Sequence, residues 1–283
     1  MNHEDKKNDS TALVERISRL HGDISSLGVD AIETLEYWGS YDVLSKFDGG
    51  MVADVYLIRL NNTLAVARFG TRSESYLRWE IDLIELLDRS GLRVPQFIRT
   101  SDGRAHVRGV TVMEYIEGRE ASTSSDESAV CDYLAKVHKA TLNYPQRPLC
   151  ISTSDVAQDA TGENLDLSAL PKDKFELCRT SWAALPKHDT SVVHGDPSSS
   201  NARVTDDGVV LFDWDEARVD FSIIDFGYAP SDVAGLGENY KVARRAYMAW
   251  DAAVCWSLEK GRRWAEEEFD QLASTPTHET PPG

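Results

Sequence analysis

SVVHGDPSSSNARVTDDGVVLFDWDEARVDFSIIDFGYA, residues 191–229, contains two apolar, β-branched runs, each ending in a loop that carries a carboxylate. The run SVV and His194 lead into Asp196. After turn residues Asp206, Asp207 and Gly208, the run VVLF leads into Asp213. A hairpin would bring the two loops together. Asn201 lies five positions after Asp196, so one short loop presents a carboxylate and an amide oxygen side by side. With Asp213 these form a set of hard oxygen ligands suited to magnesium, leaving one carboxylate to meet a hydroxyl. Phosphoryl transfer needs that division of labour, because its loose transition state depends on charge neutralisation and in-line positioning.

Upstream, residues 41–69 read as strands. VADVYLIRL and TLAVARF flank the turn-forming Asn61 and Asn62, with Gly49 and Gly50 just before the pair. A period of two sets Leu64, Val66 and Arg68 on one face. Leu77, Ile81, Ile84 and Leu87 recur at helical spacing before Gly91 and Pro95, which predicts an amphipathic helix over residues 74–90 with Glu80 beside its apolar stripe. VTVMEYIEG, residues 110–118, is strand-like to Glu114 and broken by Gly118, after which the chain turns mainly helical. That segment is the expected hinge. Tyr240, Ala243, Tyr247, Trp250, Val254 and Leu258 mark a long helix whose aromatic stripe is accounted for by core packing. His138, in LAKVH, reads as a packed structural residue with no catalytic role.

The whole chain sets the limits. Its 283 residues suffice for a substantial core, and 41% hydrophobic with 27% charged residues is a globular composition. No apolar run approaches the roughly 18 residues of a membrane span, and MNHEDKKNDS has no signal-peptide core, so a cytoplasmic protein away from membranes is expected. Cys131, Cys150, Cys178 and Cys255 are scattered without metal-ligand spacing and are expected as reduced thiols. A net charge of -17 argues against nucleic-acid binding and suits a cationic partner, although excess carboxylate also serves solubility. The polar ends, 1–12 and 272–283, carry little to bury.

HGDPSSSN, then LFDWDEA, then IIDFGYA resembles the aminoglycoside phosphotransferase and choline kinase superfamily of small-molecule kinases, whose three motif blocks occur here in order. Fainter resemblance runs through the double glycine, Arg68, Glu80, Val94-Pro95 and MEYIEG, so that residues 41–229 are covered. The resemblance implies an α+β, two-lobed protein-kinase-like fold. A small β-rich, nucleotide-binding lobe would span residues 13–113. A larger, mainly helical lobe over residues 114–271 would carry the catalytic loops and acceptor site. By the same resemblance Asp196 takes or orients the acceptor hydroxyl proton, while Asn201 and Asp213 bind Mg2+. Gly49, Gly50, Arg68 and Glu80 serve the phosphates of ATP or GTP, with Glu80 holding Arg68, and the main chain at Glu114 and Ile116 meets the base. His194 and Asp225 are supporting residues.

The implied function is nucleotide-dependent O-phosphorylation of a small molecule, an aminoglycoside-like or other cationic acceptor, as in antibiotic resistance. Asp215, Glu216, Asp232, Glu238 and Asp251 are candidates to compensate its ammonium charge. A metabolic kinase for choline, homoserine or a related alcohol is the nearest rival. A catalytically silent nucleotide-binding module is a further one, opposed by the intact Asp196, Asn201 and Asp213. The loop MVAD departs from the family pattern: it lacks the usual Ser or Asn, and Asp54 would repel phosphate if it faced one. His21-Gly22-Asp23 repeats H-G-D, but Gly28 stands where the Asn belongs. Gly235 and Gly237 lack the third glycine of a dinucleotide site, and no P-loop occurs.

Overall fold

The computed structural model describes residues 32–47, 53–187 and 190–274. Gly49, Gly50 and the rejected His21-Gly22-Asp23 lie outside the described residues. The chain divides into two compact units, one of Met1–Leu77 with Pro95–Ile116, the other of Arg78–Val94 with Glu117–Gly283.

The first unit is an antiparallel sheet of five strands: β1 (Tyr41–Lys46), β2 (Asp54–Leu60), β3 (Thr63–Phe69), β4 (His106–Val107) and β5 (Val110–Glu114), in spatial order β1-β2-β3-β5-β4. Asn61 and Asn62 both take positive φ, 48° and 67°, as a two-residue hairpin turn requires of its central residues. They set the register Leu60↔Thr63 through Asp54↔Phe69. On β3 the fully buried face is Ala65 and Ala67, packed with Tyr56, Ile58 and Val112, while Leu64, Val66 and Arg68 form the half-buried face. Alternation therefore gave the pairing of side chains but not which face goes deepest, because small alanines carry little periodic signal.

Helix α1 (Glu74–Arg89) forms where its apolar spacing predicts and ends at Gly91, whose φ of 81° allows the chain to reverse. From Arg78 onward it belongs to the second unit. That unit adds α2 (Ser124–Ala140), α3 (Lys172–Ala183), α4 (Ser231–Ala234), α5 (Tyr240–Trp256) and α6 (Arg262–Ser274). Two small sheets accompany them. One orders β6 (Arg119–Glu120), β8 (Ala202–Thr205) and β9 (Gly208–Leu211); the other pairs β7 (Thr190–Val193) with β10 (Arg218–Phe221). α2 starts at a capping box in which the Thr123 hydroxyl accepts from Asp126 N while the Asp126 carboxylate accepts from Thr123 N. Arg119 fixes that carboxylate with two parallel bonds of 2.7 Å.

α3, α5 and α6 enclose a core of Phe175, Trp182, Trp250, Trp256 and Phe269, with the Trp182 and Trp250 rings 5.8 Å apart. Ala243, Ala246, Ala249, Ala252 and Ala253 widen the buried face of α5 beyond its aromatic stripe and let neighbouring elements approach closely. No cysteine is in a disulfide. Among the described residues no helix is long and apolar enough to cross a membrane.

Candidate active site

The two carboxylate loops do meet, through a different pairing from the one expected. The run ending at Val193 pairs with β10, and the hairpin is β8–β9, closed by the turn at Asp206 and Asp207. Its register sets Ala202 opposite Leu211, and Phe212 N–H donates to Asn201 O at 3.1 Å. Asn201 and Asp213 thus lie at the same end of one hairpin. Asp213 has left-handed backbone, φ 63° and ψ 65°, an uncommon state for a residue with a Cβ and one that Asp tolerates better than most. Its side chain is exposed.

Asp196 is presented by a loop whose backbone is anchored from below. The buried Asp225 carboxylate accepts from His194 N at 2.8 Å, from Gly195 N at 3.0 Å and from His138 Nε2 at 2.8 Å. Burial pushes the Asp225 carboxyl up, but the bond from His138 and those from the backbone outweigh it and hold the group below the usual carboxylate range. Because an ionised carboxylate only accepts, the His138 proton sits on Nε2. His138 is indeed packed, yet it is also one of three donors under the Asp196 loop. Gly195 takes φ 91°, and a Cβ there would lie 2.8 Å from both the Cβ and the carbonyl oxygen of Glu216, so the position demands glycine.

His194 ties this loop to the next. Its Nε2–H donates to Phe212 O at 3.1 Å, one residue before Asp213, and its ring lies 4.6 Å from that of Trp214. Burial lowers its pKa, which keeps the imidazole neutral and suits one donated bond to a carbonyl.

Asn201 Nδ2 donates to the Asp196 carboxylate at 2.7 Å and to its main-chain oxygen at 3.0 Å. With Nδ2 so used, Oδ1 accepts no hydrogen bond among the described residues and is left as a hard oxygen donor. That orientation, with the exposed Asp213 carboxylate at the same hairpin end, fits a magnesium ion. No group of three His, Cys, Asp or Glu side chains able to hold a metal occurs among the described residues, so the rest of the ion's coordination would come from water and phosphate oxygens.

Of the five carboxylates considered for a cationic acceptor, two share the field of Asp196. Glu216, half-buried, is pushed up to about 8, first by burial and then by the charges of Asp196 and Asp251. Asp251 on α5 is raised by burial although Trp264 Nε1–H donates to it at 2.7 Å. Asp232 and Glu238 are exposed around α4, with no hydrogen bond or ion pair to this group. Asp215 follows Asp213 by two residues, half-buried in the 3-10 turn Trp214–Glu216. Tyr247, also in the field of Asp196, Asp251 and Glu216, was visible in the sequence only as part of a packing stripe.

A carboxyl with a raised folded-state pKa contributes stability that is whole below its unfolded value near 4.5 and is lost as pH rises toward 8. Glu216→Gln removes that loss. Denaturant titrations are expected to show the variant close to wild type at pH 5 and more stable by about 1–2 kcal/mol at pH 9.

In the first unit, Arg68 is half-buried on β3, in register with Val55 and Thr111. Glu114 ends β5; its N–H donates to Gln96 O at 2.9 Å and its carboxylate accepts from Gln96 N at 3.2 Å. No hydrogen bond among the described residues uses the Ile116 N–H. Asp54 is compensated by Lys46 at 2.5 Å, which weakens the repulsion its position implied. Glu80 is wholly buried in the second unit and forms an ion pair with Arg147 at 2.8 Å, a partner that nothing in the sequence singled out.

The family model described as the phosphotransferase enzyme family matches residues 43–273. No curated protein matches the chain in sequence. Among solved structures, amicoumacin kinase hAmiN in complex with AMP-PNP, Ca2+ and Ami superposes with a TM-score of 0.60 at 14% identity, covering 97% of both chains. Spectinomycin phosphotransferase APH(9)-Ia, in complex with ADP and spectinomycin, gives 0.56 at 14% identity over 89% of this chain and 96% of its own. A thermostable mutant of aminoglycoside phosphotransferase APH(4)-Ia, in a ternary complex with AMP-PNP and hygromycin B, gives 0.57 at 13% identity over 86% and 97%. The fold is that of these kinases.

Proposed function

The chain belongs to the phosphotransferase enzyme family, and from that premise we propose that it transfers the γ-phosphoryl group of ATP or GTP to a hydroxyl of a small cationic acceptor. The observation that carries this reading is the grouping of Asp196, Asn201 and Asp213 by the β8–β9 hairpin, with Asn201 Nδ2 turned to Asp196 and its oxygen left open.

Asp196 is the group that receives or orients the hydroxyl proton. Its carboxylate is aimed by Asn201 from one side and by the Asp225-anchored backbone from the other. Asn201 Oδ1 and the Asp213 carboxylate would hold magnesium, which would neutralise charge on the phosphates. Arg68 is assigned to the phosphates, and the Glu114 carbonyl with the Ile116 N–H to the base. Glu216 and Asp251 supply the negative field for an ammonium group. Their carboxyl pKa values are raised first by burial and then by the charge of Asp196, both of which a bound cation would offset.

The test is magnesium-dependent release of nucleoside diphosphate in the presence of aminoglycosides, other amino sugars, choline or hydroxy amino acids, with Asp213→Ala beside wild type. Acceptor-stimulated turnover is expected with an amino sugar, falling by about 10²-fold or more in the variant. Stimulation by choline or a hydroxy amino acid alone would move the assignment to a metabolic kinase. Absence of both turnover and magnesium-dependent nucleotide binding would leave a silent module.

A further inference from the structure

Arg147 lies in the segment after α2, outside every motif block, and is buried with the whole of its side chain. Its guanidinium bridges two elements. Nη2 donates to Glu80 Oε2 at 2.8 Å, on α1. Nη1 lies 2.9, 3.0 and 3.0 Å from the carbonyl oxygens of Trp214, Asp215 and Ala217, so two N–H groups serve three acceptors. Those three carbonyls belong to the turn immediately after Asp213.

The segment around Arg147 is fastened on both sides. Trp79 Nε1–H, also on α1, donates to Pro145 O at 2.8 Å, and the Arg147 guanidinium stacks 5.0 Å from the Trp79 ring. Gln146 Nε2 donates to Val219 O at 2.8 Å and Gln146 Oε1 accepts from Val219 N at 2.9 Å, in the manner of a strand partner to β10. Asp213 itself sits in left-handed backbone, which persists only where the surroundings over-determine it. On the side after Asp213, the three carbonyls gripped by Arg147 provide that constraint. On the side before it, the Phe212 carbonyl is held by His194.

The geometry points to Arg147 as a positioning residue that sets the direction of the Asp213 carboxylate and couples it to the Glu80 helix. This rests on the reading of Asp213 as a metal ligand. Arginine is needed because the two ends of the bridge are served by different nitrogens of one rigid plane; a lysine ammonium has a single nitrogen and cannot stand at both.

Arg147→Lys is the decisive variant, since it keeps a positive charge against Glu80. Mn2+ binding in the presence of AMP-PNP, followed by electron paramagnetic resonance, is compared among wild type, Arg147→Lys, Arg147→Met and Asp213→Ala, with melting temperatures measured alongside. Arg147→Lys is expected to stay folded and to raise the Mn2+ concentration for half-saturation at least fivefold, with Arg147→Met raising it further. Unchanged half-saturation in Arg147→Lys, with Asp213→Ala strongly impaired, overturns the positioning role and leaves the proposed function standing. Wild type that takes up no Mn2+ with AMP-PNP, or an Asp213→Ala that binds it normally, overturns the metal reading and this proposal with it. Failure of both Arg147 variants to fold also overturns it, because the residue would then have no role separable from the core.

Discussion

Asp196→Asn is expected to lower kcat by about three orders of magnitude while leaving the protein at least as stable as wild type. The first half follows from the charge. An amide cannot take or strongly attract the hydroxyl proton, and a positioned base contributes roughly 10²–10⁴-fold. The second half follows from the neighbours. Asn201 Nδ2 can still donate to the new side-chain oxygen, and the loop's anchors to Asp225 are backbone bonds that the substitution does not touch. The carboxylate of Asp196 also repels Glu216 and Asp251, so its removal lowers the pKa values of both and relieves a repulsion of the folded state. Steady-state kinetics with chemical denaturation on the same preparations provide the check. A variant that is both inactive and destabilised by several kcal/mol would show instead that Asp196 holds the loop together.

Asp225→Ala has the opposite signature: a large loss of stability, with activity lost as its consequence. Two backbone N–H groups and His138 Nε2 would be left in a buried space without their acceptor, and removing a hydrogen-bonded buried charge of this kind costs about 3–5 kcal/mol. Asp225→Asn is expected to fall nearly as far, because an amide has one oxygen where two are used and turns an N–H toward a donor. The pH dependence has a definite sign. Burial raises the Asp225 carboxyl and the His138 bond lowers it to a net value below normal, so its contribution is present above the unfolded carboxylate pKa near 3.8 and is lost only as pH falls through the lower, folded value. Acid unfolding monitored by circular dichroism should therefore begin at higher pH in Asp225→Asn than in wild type.

The substitutions at Asp196 and Asp225 separate two residues that stand only a loop apart and are both carboxylates. One is half-buried and accepts from the Asn201 amide; the other is buried and satisfied by three donors. Residue type does not distinguish them. Their opposite expected effects come from what surrounds each, which is the general pattern when an active group is held in place by structure built around it.

Much of the arrangement was legible in the chain because it depends on neighbours in sequence. The β2–β3 hairpin needed two residues that accept positive φ, and Asn61-Asn62 supplies them. Helix α1 follows from apolar spacing and ends at a glycine. Asn201 stands five residues from Asp196, close enough for one loop to turn the amide onto the carboxylate. Asp213 follows a strand that folds back on the segment after Asn201, so a two-residue turn at Asp206 and Asp207 decides their proximity. Which strand pairs with β7 was less legible: the partner is β10, beyond the Asp213 turn, and short apolar runs carry no signal that selects among distant partners.

What the sequence determined by itself, then, is the alternation of strands and helices, the turns, and the grouping of Asp196, Asn201 and Asp213, because each rests on local periodicity or on residues a few positions apart. The tertiary structure alone decided that Glu80 pairs with Arg147, that Arg147 grips the turn after Asp213, that His138 on α2 supports Asp225, and that Glu216 rather than Asp232 or Glu238 shares the field of Asp196. Those contacts join residues separated by tens of positions. Their energies come from burial and from the exclusion of water between charges, neither of which is written in spacing along the chain.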